Sequence, residues 1–256
     1  MGDDILPICK TNAIIIKALD YKEADKLLWM LSKDLGKISV MAHGAKKYKS
    51  KLISTTQVFV LGEYVLFKGK SFYTINEARI IDSFQELLGD LDTLNYGAYL
   101  CELTDLAMVE GEVNEFIYES LIKALYLIKN KVGDLELIAR TFELYILKAS
   151  GYALDLDNCS VCSNPIKTSN FFNIHLSGGV CATCKKENGI AISYSAYNLL
   201  KFLCKIPLEK VYRINVEKEL KDSLSKITSS IILNNYGKIP NSLKSINFMN
   251  RSDENV

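Results

Sequence analysis

Histidine is almost missing from this chain: His43 and His175 are the two copies among 256 residues. A histidine general base or a histidine-activated nucleophile is therefore poorly supplied. Proline and tryptophan are scarce too, with 4 and 1 copies, and there are 14 glycines. No repeat, Pro-rich stretch or low-complexity linker can be read. No apolar run approaches the roughly 18–20 residues that a membrane helix needs. Met1-Gly2-Asp3-Asp4 is acidic and lacks the charged-then-apolar pattern of a secretion signal. The expected compartment is the cytoplasm, with no membrane partner. H-E-x-x-H, G-x-S-x-G and G-x-G-x-x-G do not occur. Gly69-Lys70-Ser71 ends like a phosphate loop, but Tyr64 stands where that motif needs its first glycine. Glu23 and Asp25 are close together, a common arrangement on solvated surfaces. The chain does not read as an enzyme.

Cysteine is present, and in a pattern. Cys159, Cys162, Cys181 and Cys184 form C-x2-C-x18-C-x2-C, within the spacing of a zinc ribbon. Each knuckle offers two thiolates across a tight turn, so two knuckles can close a tetrahedron around one soft divalent ion. Four protein ligands leave no open position, which makes the expected Zn2+ structural. Two disulfides would need an oxidising compartment, and a redox pair would explain one knuckle alone. His175 lies between the knuckles and is the one imidazole placed to replace a cysteine, but a single histidine in a loop is more often just polar surface. A nucleobase-deaminase zinc site needs H-x-E and P-C-x-x-C; here Leu176-Ser177 follow His175, and Val180 precedes Cys181. Cys9, Cys101 and Cys204 are isolated in apolar surroundings, as buried free thiols are.

The first 80 residues carry strand patterning. Cys9 to Leu19, Leu27 to Leu31, Lys37 to Met41, Gln57 to Phe67 and Phe72 to Ile81 read as five strands. Gly36 is available for a hairpin turn between the second and third. Five short strands suit a small closed barrel of the OB type, and an SH3-like barrel has a similar count. From Leu87 the period becomes helical, with Leu91, Leu94, Ala98, Cys101, Leu103 and Leu106 on one face. Further helices are expected over about 115–129, 134–150 and 193–204, and a last one over 217–234, with Asp134 as an N-cap and Gly151 as a stop. Phe171-Phe172 reads as a short strand, and 251–256 as a polar, frayed end. The fold class is α+β. The expected domains are an OB-fold over 1–82 and a helical domain over 83–256, holding a zinc segment at about 157–190.

The net charge of +1 hides a strong asymmetry. Residues 1–80 hold 13 Lys/Arg against 8 Asp/Glu, residues 81–158 hold 5 against 15, and residues 159–256 hold 13 against 7. The two basic segments suit contact with polyanions. The densest cluster is Lys46-Lys47-Tyr48-Lys49-Ser50-Lys51, in the connection between the third and fourth strands. Exposed ammonium groups there can neutralise phosphates and release counterions, and Tyr48 can stack on a base. Lys68 and Lys70, on the next hairpin, can extend the patch. A solubilising surface is the bland reading of the same lysines.

Tyr21-Lys22-Glu23-Ala24-Asp25-Lys26-Leu27, Leu31 to Lys37, and Ala42-His43-Gly44-Ala45-Lys46-Lys47 together resemble the N-terminal domain of the RecO family. The likeness continues through Ser50-Lys51-Leu52 and Gln57. It resumes at Leu147 to Tyr152 running into Cys159-x-x-Cys162, at Phe171-Phe172, and at Ser177 to Cys181. It returns at Asn235-Tyr236-Gly237-Lys238 and Ser242 to Ser245. The resemblance implies an OB-fold, a helical bundle, a zinc-stabilised C-terminal portion and a non-enzymatic role in recombinational repair. It further implies binding of single- and double-stranded DNA and annealing of complementary strands. The implied partners are RecR, the single-strand DNA-binding protein and, indirectly, RecA, with association to the nucleoid when DNA is bound. The family's DNA-binding face maps onto Lys46, Lys47, Lys49 and Lys51. A zinc-ribbon RNA-binding protein or an interaction scaffold is the alternative reading.

Overall fold

The structure, a computed structural model, describes residues 8–252, with side-chain surroundings through residue 246. The acidic start at 1–4 and the polar end at 253–256 lie outside the described residues. The chain folds as two compact units, residues 1–129 and 130–256.

The first unit is built on five strands: β1 (Ile8–Tyr21), β2 (Asp25–Ser32), β3 (Gly36–Ala42), β4 (Leu61–Lys68) and β5 (Tyr73–Asp82). They close in the order β1-β2-β3-β5-β4. β1 pairs with β4 along its first half and with β2 along its second. A bulge between Ile15 and Lys17 lets this long strand bend between the two partners. β3 and β5 meet in parallel at Val40↔Tyr73 and Met41↔Thr74. Closure with this order and this parallel contact is the OB-type arrangement. Alternate residues fill the barrel, among them Ile15, Leu28, Met30, Val40, Tyr64 and Leu66. That is the period-2 pattern expected of strands with one buried face. The Tyr64 hydroxyl is buried and donates to the Thr55 carbonyl oxygen at 2.9 Å; burial pushes its pKa up. Gly36 closes the β2–β3 turn at φ +68°, and a Cβ there would stand 2.1 Å from the Glu112 carbonyl oxygen.

One strand begins later than its composition suggests. Gln57 to Val60 is a turn, and β4 starts at Leu61. Phe59 sits at φ +72°. Its N–H donates to Ile15 O at 2.9 Å, and Ile15 N–H donates to Val60 O at 3.0 Å. Phe59 and Val60 are buried beside β1 without extending the ladder. Helices α1 (Leu91–Ala107) and α2 (Glu115–Lys129) complete the unit. The Asp90 side chain caps α1 by accepting from Asp92 N and Thr93 N.

The second unit opens with α3 (Leu135–Ala149), whose N-cap Asp134 accepts from Leu137 N at 3.1 Å. Gly151 ends it at φ +84°. A small sheet follows, with β6 (Phe171–Asn173) between β7 (Gly178–Gly179) and β8 (Gly189–Ala191). Then come α4 (Tyr194–Leu203), capped by Ser193, and α5 (Lys218–Tyr236). Arg140 of α3 is buried against Glu143 at 2.9 Å and donates to Thr228 of α5 at 3.3 Å. α5 is not the last helix, contrary to the sequence expectation: α6 (Asn241–Ser252) follows it and carries Arg251 within its last turn. Its Ser and Asn content argues against a helix interior, yet Leu243 and Ile246, one turn apart, are buried.

Candidate metal centre and nucleic-acid interface

The first knuckle sits at the tip of a short hairpin. The Asp155 carboxylate accepts from Asp157 N and Asn158 N at 3.1 and 3.0 Å, which turns the chain into the knuckle. Ile166 N–H donates to Asp157 O, and Cys159 N–H donates to Asn164 O, so the strands around residues 157–166 zip together. Ser163, directly after Cys162, takes φ +59° and donates its N–H to Cys159 O at 2.8 Å, which turns the chain back after the second thiol. The other knuckle follows β7, fixed by Val180 N–H donating to Phe171 O at 3.0 Å.

The four Sγ atoms lie within 4.8 Å of one another. A tetrahedron with metal–sulfur bonds of about 2.3 Å requires sulfur–sulfur separations of about 3.8 Å. Cys162 Sγ and Cys181 Sγ are 3.8 Å apart, far longer than the roughly 2.0 Å of a disulfide, and all four cysteines are free thiols. Cys181 N–H points at Cys159 Sγ over 3.3 Å. Burial opposes ionisation of Cys159, but backbone N–H groups of Cys181, Cys162 and Val161 outweigh it and bring its pKa below the usual thiol value. Hydrogen bonds from the Thr183 and Cys184 side chains hold Cys181 down to about 6. Such N–H···S contacts are the outer shell that a thiolate ligand needs. The arrangement fits one soft cation in a closed four-sulfur site. His175 is exposed in the β6–β7 turn and lies outside the cluster.

The lysine cluster lies between two anchors. Ala45 is buried in the barrel core, and Leu52 packs against it. Between them Lys46, Lys47, Tyr48, Lys49 and Lys51 are exposed, with Tyr48 at 93%. Asp25, at the start of β2, accepts from Gly44 N at 2.8 Å and bonds His43 Nδ1 at 2.9 Å. Lys46 N–H donates to Ala24 O at 2.9 Å. These contacts fasten the segment to the β1–β2 turn. Lys46 also forms an ion pair with Asp20 at 2.8 Å, so of the cluster it alone is shown with a carboxylate partner on the barrel. The pairing joins residues 26 positions apart, and no local pattern could have revealed it. Lys22, in the β1–β2 turn beside this segment, was not singled out by sequence reasoning, because its proximity follows only from the fastening to Ala24 and Asp25.

Comparison with known proteins agrees with this architecture. The family model described as "Recombination protein O N terminal" matches residues 6–84, and "Recombination protein O C terminal" matches residues 88–244. The DNA repair protein RecO of Clostridium novyi (strain NT) is 47% identical over 255 residues, covering 100% of both chains. That of Clostridium kluyveri is 49% identical over 243 residues, covering 95% of each. The DNA repair protein RecO of Desulforamulus reducens is 36% identical over 249 residues, covering 96% of this chain and 95% of its own. With both family models matching, and relatives 36–49% identical over 95% or more of it, the chain belongs to the RecO family, and this membership supports a role in DNA repair.

Proposed function

We propose that this chain is a non-enzymatic recombination mediator. It binds single- and double-stranded DNA, anneals complementary strands, and acts with RecR to help RecA load. The DNA-binding barrel occupies residues 1–82, and the helical portion with the cysteine segment occupies 83–256. The work is cytoplasmic, at the nucleoid.

The observation that carries this reading is the lysine segment, Lys46 to Lys51, fastened to an OB-type barrel at both ends. Lysines on a fixed segment need little reordering to meet a phosphate backbone, so the counterions they release contribute directly to binding. Annealing needs no bond chemistry. Two polyanions repel one another, and a protein that covers phosphates on both removes part of that barrier. The ion held by Cys159, Cys162, Cys181 and Cys184 is Zn2+, a structural ion that cross-links the two knuckles. The acidic tail of the single-strand DNA-binding protein finds its charge complement among the basic residues of 159–256.

The test is annealing of two complementary fluorescent oligonucleotides, followed by RecA loading on coated single strands with RecR added. The expected result is faster annealing than by strands alone, and loading that needs both proteins. Absence of both, with the chain folded, contradicts the mediator reading. Preference for structured RNA over both forms of DNA replaces it with the RNA-binding alternative.

A further inference from the structure

β5 keeps one edge open over most of its length. β4 pairs with it from Tyr73 to Asp82, whereas β3 meets its other edge at Tyr73 and Thr74 and then departs. Among the described residues, no backbone hydrogen bond outside the β4 ladder reaches Ile75 to Ile81. Alternate N–H and C=O groups of this stretch therefore face away from β4 without a protein partner. The side chains leave this edge accessible. Asn76, Glu77 and Arg79 are exposed, and Ile80 and Ile81 are 37% and 53% exposed. Lysine and proline, the usual guards of an open edge, do not occur between Ile75 and Asp82.

The β4 ladder is interrupted between Val65 and Leu66 and between Leu61 and Gly62, which leaves Glu77 to Ile80 as an unbroken stretch of β5. Ala78 packs toward the barrel core, so Glu77 and Arg79 lie on the outer face, opposite Val65 and Glu63 of β4. Glu63 is already held by Lys10 at 3.0 Å. Among the described residues, Glu77 and Arg79 are in no ion pair. A strand with this pattern complements itself. Two antiparallel copies related by a two-fold axis through Ala78 bring Glu77 of each against Arg79 of the other. Asn76 of each then lies across from Ile80 of the other. Moving the axis to Glu77 sets that carboxylate against its own copy, and moving it to Arg79 does the same with two guanidinium groups. Like charges directly opposite are destabilising, so the register about Ala78 is favoured over its neighbours on both sides.

We propose that this edge is a self-association surface, on which the β5 strands of two copies pair antiparallel about Ala78. The contact is isologous and joins two barrel sheets edge to edge. Main-chain hydrogen bonds supply the attraction, and the two Glu77–Arg79 pairs fix the register. The interruptions at either end keep the paired stretch short, which makes the dimer reversible and stops the edge from templating longer assemblies. Pairing gives one assembly two lysine segments, a consequence that rests on the DNA-binding reading above. The pairing itself does not rest on it.

The experiment is sedimentation velocity on the full-length chain without DNA, in a concentration series up to about 100 μM. The wild type is expected to pass from monomer to dimer along the series. Glu77→Arg and Arg79→Glu each set like charges opposite one another at both contacts. Each variant alone is expected to dimerise about tenfold or more weakly. An equimolar mixture of the two variants again has opposite charges at both contacts, and so has the chain carrying both substitutions. Both are expected to dimerise as the wild type does. A wild type that stays monomeric throughout overturns the proposal and leaves the edge to a strand of another protein. Dimerisation that neither single variant weakens also overturns it, and so does a mixture of the two folded variants that stays monomeric. None of these outcomes bears on DNA binding, which is measured separately.

Discussion

At the scale of single residues, Asp25 separates two explanations of the lysine segment. If the segment acts only through its charge, replacing Asp25 by Ala removes a carboxylate and should strengthen DNA binding. If its position matters, the loss of the Gly44 and His43 contacts should weaken binding. The account predicts weaker binding by Asp25→Ala, measured by anisotropy at fixed salt. The same carboxylate carries a pH dependence. The backbone N–H of Gly44, and then His43, hold its pKa below the usual 3.8. Its contribution is therefore fully present above the unfolded value and is lost as pH falls through the folded one. The Gly44 amide resonance should report that loss in acid, below the ordinary aspartate range. Inside the barrel, Tyr64→Phe leaves the Thr55 carbonyl without its donor. The expected cost is about 1–2 kcal/mol in urea unfolding.

At the scale of elements, a buried ion pair within α3 also reaches α5, because Arg140 donates to Thr228. Arg140 and Glu143 are 1% and 0% exposed, so their charges are removed from water and depend on one another. Arg140→Met should cost about 3–5 kcal/mol, because Glu143 stays buried without this guanidinium. Replacing both, with Glu143→Leu added, should recover much of the loss; thermal unfolding of the two variants checks the difference. For the cysteine segment, Cys159→Ser should abolish retention of a stoichiometric metal, read by native mass spectrometry. Elements whose burial followed their own period were legible in the sequence: the β2 and β3 strands, α2, α3 with its Asp134 cap, and the paired knuckles. Elements whose burial depends on distant partners were not. Gln57 to Val60 looks like strand, yet it turns because Phe59 and Val60 bond Ile15. α6 is rich in Ser and Asn, and Leu243 and Ile246 are buried in spite of that composition.

At the scale of the whole molecule, charge is segregated along the chain: +5 over residues 1–80, −10 over 81–158 and +6 over 159–256. The lysine cluster and the cysteine spacing were both visible in the sequence, because each depends on residues close together or regularly spaced. The fastening of Lys46 to Asp20 and Ala24 arises only when the barrel closes. The central claim is that DNA binds the fastened lysine segment. It is tested most directly by titrating labelled single-stranded DNA across a salt series, with the wild type beside a variant carrying Lys46→Glu, Lys47→Glu, Lys49→Glu and Lys51→Glu. If each lysine covers one phosphate, wild-type affinity should fall about 50-fold between 50 and 200 mM salt. The folded variant should bind more weakly with a flatter slope, whereas equal affinity and slope in both proteins would contradict the account.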